Sequence, residues 1–199
     1  MLVTIPLLGV RLRVSFWFFA AAALALLLDA HLLLWYLALP VFLHELGHIA
    51  VMAFCRVKVA EIYFTPVSIR IITQGQATSY RKELAISLGG IAANLVAALL
   101  WRLFAFQSMR AMLMVASNLA VAAFNMLPVG NLDGGRALSI LCARYLRPDT
   151  ARIISALAGF AALVPLTAGA AFLLLSGSGN FTLALACVYL AFIVAKKQL

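Results

Sequence analysis

Acidic side chains are scarce in this chain: six Asp and Glu stand against 15 Lys and Arg in 199 residues. Histidine is scarcer still, at three. The three cysteines, Cys55, Cys142 and Cys187, are isolated and form no CxxC pair, which excludes a disulfide framework and leaves them as small hydrophobes. The shortage of charge excludes more. Only 11% of residues are charged and 66% are hydrophobic, with a mean hydropathy of +1.09, values foreign to a soluble domain and natural for an integral membrane protein. A net charge of +9 would suggest nucleic acid in a soluble protein. On a chain this apolar it reports orientation in the bilayer, and no nucleic-acid partner is expected. No small-residue cleavage site follows the first apolar residues, so no removable signal is expected, and neither repeats nor low-complexity tracts interrupt the chain.

What is abundant is the long apolar run. The fold class expected is an all-α polytopic membrane protein of about six transmembrane helices, forming one membrane-embedded domain over residues 1–199 with its core across 32–135. The spans run roughly from Val14 to Leu28, Leu32 to Phe54, Leu84 to Phe104, Met112 to Leu127, Arg152 to Leu175 and Phe181 to Ala195. Residues Val10 to Val14 alternate with period two, as a strand or interfacial segment does. After the second span, Val57 to Phe64 and Ser68 to Thr73 are β-branched and separated around Pro66, which predicts a small membrane-associated β-sheet of two or three strands. Such a sheet either offers an edge to an extended peptide or simply connects two spans.

The second span carries the chemistry. In Val41 to Phe54, VFLHELGHIAVMAF, residues four apart differ by only about 40° around a helix, so His44 and His48 project from one face and can share a metal. Glu45 lies about a quarter-turn away, poorly aimed as a ligand but able to reach a water on that metal. This is the pattern of a zinc hydrolase, Zn²⁺ being the cofactor. Three ionisable groups together in a membrane span also need a purpose, because a carboxylate near the bilayer interior costs roughly 2.5–3.5 kcal/mol on insertion scales.

Six spans put both termini on one side. With that topology every Lys and Arg except Arg102 and Arg110 falls on the side of the termini, which the positive-inside rule makes cytoplasmic. The ends of the second and fourth spans then meet at that same side, while His31 falls opposite. A hydrolytic zinc keeps three protein ligands and one open position. Asp29 lies on the wrong side, Glu45 is the proposed base, and Glu61, Glu83 and Asp149 sit in connections. Asp133, in a Gly-rich break after the fourth span, is the candidate that position favours. Cys55, seven residues after His48, is a further conceivable thiol ligand. Asn94 is an intramembrane amide that must find partners, either a substrate backbone or a neighbouring helix, and Asn118 and Asn125 raise the same question. Gly89 and Gly90 are read as helix-packing positions.

The paired motifs, His44-Glu45-Leu46-Gly47-His48 and Asn125-Met126-Leu127-Pro128-Val129-Gly130-Asn131-Leu132-Asp133-Gly134, resemble the HExxH and N-x-x-P-x-x-x-L-D-G patterns of the site-2 proteases, intramembrane zinc metalloproteases. The resemblance implies His44, His48 and Asp133 as zinc ligands and Glu45 as catalytic base. Asn94, Asn125 and Pro128 are the candidate substrate-binding residues: Asn94 or Asn125 to hold a substrate backbone or the oxyanion, and the Pro128 break to favour its unwinding. Gly90-Ile91-Ala92-Ala93-Asn94 keeps the Gly and Asn of the family's G-P-x-x-N motif and replaces its Pro. The layout is similar to the stage IV sporulation protease type, without the CBS or PDZ domain found in many relatives. The implied partners are the lipid bilayer and a membrane or membrane-tethered substrate, such as a transcription-factor precursor or an anti-sigma-type regulator. A regulatory membrane partner or a homo-oligomer belongs to the same picture. The competing class is a zinc-binding transporter or sensor, which gives Glu45 no particular reason to follow His44.

Overall fold

The computed structural model describes residues 2–7, 10–28, 33–65, 69–74, 79–105, 108–130, 132–176 and 187. Strands β1 (Leu2–Leu7) and β2 (Val10–Ser15) precede helices α1 (Phe16–Leu28) and α2 (Leu33–Phe54). Strands β3 (Val59–Phe64) and β4 (Ile69–Thr73) follow, and then α3 (Tyr80–Phe104), α4 (Met109–Met126), α5 (Asp133–Tyr145) and α6 (Pro148–Leu175).

Four of these helices, over Leu34–Phe54, Tyr80–Phe104, Met109–Met126 and Pro148–Phe172, are long and apolar enough to cross a membrane. Their outer faces stay apolar where a soluble protein would place polar groups: Phe104 is 82% exposed and Phe172 69%. Helix α1 begins two residues after the start of the first expected span, Val14 and Ser15 belonging to β2, and its 13 residues extend about 20 Å to Leu28. Of the sixth expected span, Phe181 to Ala195, only Cys187 is among the described residues, and His31 lies outside them.

The sheet is larger than its expected position after the second helix allows. It has four strands in the order β1-β2-β3-β4, and half of it comes from the N-terminus. β1 and β2 form an antiparallel hairpin, β3 and β4 another, and β2 joins β3 in parallel with Arg11 opposite Glu61. A parallel pair needs a crossover, which α1 and α2 supply by leaving the sheet and returning to it. Glu61 is buried between two guanidiniums, Arg11 at 2.7 Å and Arg13 at 3.4 Å, so the charge taken from water is compensated across the joint. Phe18 meets Phe64 edge-on at 5.6 Å and ties the start of α1 to the end of β3. Pro6 is tolerated because β1 is an edge strand.

Among the helices α3 is central, packing against α2, α4 and α5. It approaches α2 through glycine: a Cβ on Gly47 would strike the Gly89 carbonyl, and one on Gly89 would come within 2.9 Å of the Gly47 carbonyl. Helix α2 ends in a Schellman turn. Val57 N–H donates to Met52 O and Arg56 N–H to Ala53 O, with Arg56 in the left-handed region at φ 57°. Lys82 Nζ donates to the Cys55 carbonyl at the same end, where a cation suits the helix dipole. Between α4 and α5 the chain turns through Gly130 at φ 46° while Val129, wholly buried, packs on Leu163 of α6. Gly134 and Gly135 let the start of α5 lie directly on the backbone of Met126 and Val129. That packing fixes where Asp133 points.

Candidate metal centre

Helical spacing places His44 and His48 on one face of α2, and Asp133, the first residue of α5, meets them from across the bundle. His44 Nε2 lies 2.8 Å from Asp133 Oδ2, His48 Nε2 lies 3.1 Å from the same oxygen, and the two Nε2 atoms are 3.2 Å apart. Both histidines are buried, and Asp133 is nearly so.

The hydrogen-bond network defines what the three atoms offer. His48 Nδ1 is 2.7 Å from the carbonyl of Ile86, which can only accept, so the ring hydrogen sits on Nδ1 and the lone pair on Nε2. For His44 the argument is longer. Asn118 Nδ2 donates to the Met114 carbonyl, which turns its Oδ1 toward Asn94. Asn94 Nδ2 donates to that Oδ1 at 3.0 Å and to the Pro40 carbonyl at 2.8 Å. Its own Oδ1 must then face His44 Nδ1, at 2.7 Å, and receives the ring hydrogen. Both Nε2 lone pairs and a carboxylate oxygen therefore converge, three acceptors with no donor of their own.

Such a set requires protons or a cation. Two borderline imidazole nitrogens and one hard carboxylate oxygen make a donor set that zinc, a borderline ion, accepts, and three ligands leave one position open. The separations of 2.8–3.2 Å approach the roughly 3.3 Å between neighbouring ligands of a tetrahedral ion with bonds of about 2.0 Å. The residues thus fit a zinc ion, with both Nδ1–H groups held by outer partners as metal-bound histidines commonly are.

Gly90 completes the pocket. A Cβ there would lie 2.5 Å from His48 Nε2 and 2.6 Å from His44 Nε2, so the imidazole pair rests on bare α3 backbone. The packing role read for Gly90 thus extends to the site itself, and Gly90 and Asn94, one turn apart, face His44 and His48. Glu45 is half-buried and lies within electrostatic reach of His44, His48 and Asp133.

Of the two partners left open for Asn94, the contacts seen are those with neighbouring helices: Asn94 is 0% exposed, its amide hydrogens bond Pro40 and Asn118, and its oxygen faces His44. Asn118, also 0% exposed, belongs to the same relay. Asn125 donates to Val121 of its own helix and is half-buried. Pro128 lines a cavity of about 870 Å³ between α5 and α6 with Gly135, Ser139, Arg152 and Ser155. The cysteines stand apart: Cys55 is not in the cluster, and its carbonyl serves Lys82.

Fold and site together define a helical bundle with membrane-spanning character that buries a His–His–Asp cluster. A solved structure, "Site-2 Protease from Methanocaldococcus jannaschii", matches this chain with a TM-score of 0.65 at 21% identity, over 98% of this chain and 94% of that one. The two share a fold. No protein-family model matches the chain, and no curated protein matches it in sequence.

Proposed function

We propose that this protein is an intramembrane zinc metalloprotease of site-2 protease type. The observation that carries the reading is the convergence of His44 Nε2, His48 Nε2 and Asp133 Oδ2 with both Nδ1 hydrogens turned away. The shared fold supports it, because the neighbour with that fold is a site-2 protease.

His44, His48 and Asp133 would hold the ion, which when bound supplies water activation and polarises the scissile carbonyl. Glu45 accepts a proton from the attacking water as the oxygen bonds to the carbonyl carbon, then delivers it to the amide nitrogen as the C–N bond breaks. Asn94 and Asn118 hold His44 in the tautomer that keeps its Nε2 lone pair toward the cluster, and Ile86 O does the same for His48. Asn125 and Pro128, at the α4–α5 turn, contact an unwound substrate segment. The substrate is a membrane or membrane-tethered regulatory protein, of the transcription-factor-precursor or anti-sigma type. The distribution of basic residues supports a multi-pass cell-membrane protein with cytoplasmic termini and cleavage at that face.

The test is Glu45→Gln, co-expressed beside the unaltered protein with single-span candidate regulators. Cleavage is expected to fall by about 10²–10⁴-fold or more while the bound zinc is retained. Normal cleavage by the variant overturns Glu45 as base. Zinc binding with ion flux and no zinc-dependent cleavage of any membrane substrate makes the protein a transporter or sensor instead.

A further inference from the structure

Where α3 begins and α5 ends, Tyr80, Arg81, Leu84, Ile140, Leu141, Arg144 and Tyr145 line a cleft of about 140 Å³. It lies away from the metal cluster, and the proposed chemistry uses none of these residues. Two guanidiniums and two phenols stand over an aliphatic floor, and Arg144 lies 5.4 Å from the Tyr145 ring centroid. Neither Arg81 nor Arg144 has a carboxylate partner among the described residues.

The position of Arg81 is the informative part. Arg144 occupies the last turn of α5, where a cation complements the helix dipole. Arg81 sits in the first turn of α3, the positive pole, where a cation is unfavourable. Ser79 makes no side-chain cap bond there, and Glu83 is the acidic residue of the same turn. A guanidinium at that pole, with a second one from α5 lining the same cleft, favours an anion between them. Tyr80 and Arg81 open a helix that has the length and composition of a membrane span, a level at which tyrosines mark the lipid–water boundary. Leu84 and the partly exposed Leu88 continue the apolar track along α3 from the cleft.

We propose that this cleft binds the phosphate of an anionic phospholipid. The phosphate sits between Arg81 and Arg144 at the head of α3, and an acyl chain runs along Leu84 and Leu88. The cleft is too small for a folded partner, and its apolar floor suits an amphiphile better than a free anion. The proposal rests on the membrane reading and is independent of catalysis.

The test uses the full chain as its Glu45→Gln form, reconstituted in nanodiscs of phosphatidylcholine with or without phosphatidylglycerol. Retained lipid is counted by native mass spectrometry, and zinc content is measured in the same samples. Phosphatidylglycerol is expected to be retained about tenfold or more over phosphatidylcholine. The combined Arg81→Gln and Arg144→Gln variant is expected to bring that ratio toward unity with unchanged zinc, and Lys at both positions to restore part of it. Equal retention of the two lipids, or undiminished selectivity in the Gln variant, overturns the site. Displacement of the lipid by millimolar inorganic phosphate identifies a soluble-phosphate site and overturns the lipid assignment. Absence of zinc-dependent cleavage by the unaltered protein, with lipid selectivity intact in the Glu45→Gln form, counts against the enzyme reading alone.

Discussion

At the residue scale, the site depends on atoms that are missing as much as on those present. Alanine in place of Gly90 should strengthen α3 by about 1 kcal/mol from helix propensity alone. Its methyl group would nevertheless enter the space of both imidazoles. Gly90→Ala is therefore expected to keep its fold and lose at least about tenfold in zinc affinity, read by competition with a chelator beside a melting curve. An unchanged affinity means the rings can retreat from the methyl. Asn118 offers a subtler test, since it touches neither histidine. Asn118→Ala frees the Asn94 amide from one of its two anchors, and a loss of about 10–100-fold in zinc affinity is expected. Nitrogen NMR of His44 reports the tautomer directly, and an undisturbed Nδ1–H form in the variant rejects the relay. The two histidines and Asp133 were legible in the sequence because spacing and a Gly-rich break announce them. The part played by Asn94 was not, because it depends on contacts 50, 54 and 24 residues away that no local pattern encodes.

Among the elements, α2 shows how far local signals reach. Its length and its histidine face follow from apolar content and period, but its end carries neither Gly nor Pro, and Arg56 takes the left-handed position that glycine usually fills. Arg56→Gly is expected to stabilise the protein by about 1 kcal/mol, visible as a raised unfolding midpoint, because the Cβ clash of the left-handed region is removed. A lowered midpoint would assign the guanidinium a contact worth more than that strain. β2 was foreseen as a strand or interfacial segment from its alternation, whereas β1, with Pro6 inside it, carries no such signal. The union of the two hairpins was hidden for a different reason. β2 pairs with β3 across two intervening helices, and the pairing is recorded mainly in an Arg11–Glu61 match that resembles ordinary polar-loop composition in sequence.

For the whole molecule, the cluster couples metal to stability. Three converging acceptors gathered from α2 and α5 repel one another unless a cation or protons intervene, so the ion contributes to holding the bundle closed. Chelation is expected to lower the unfolding temperature, and zinc at a hundred times its dissociation constant to restore about 2.7 kcal/mol. The same titration on Asp133→Ala should show a much smaller response. Identical responses would place the stabilising ion elsewhere.

The contact between Gly47 and Gly89 has a mechanical meaning. Side chains that interdigitate can change rotamer and let two helices slide, but here backbone meets backbone, with only Ala93 and Val51 beside the crossing. The α2–α3 pair forms a rigid wall behind His44 and His48. Any motion that opens the buried cluster to water or to a peptide has to be made by the helices on its other sides.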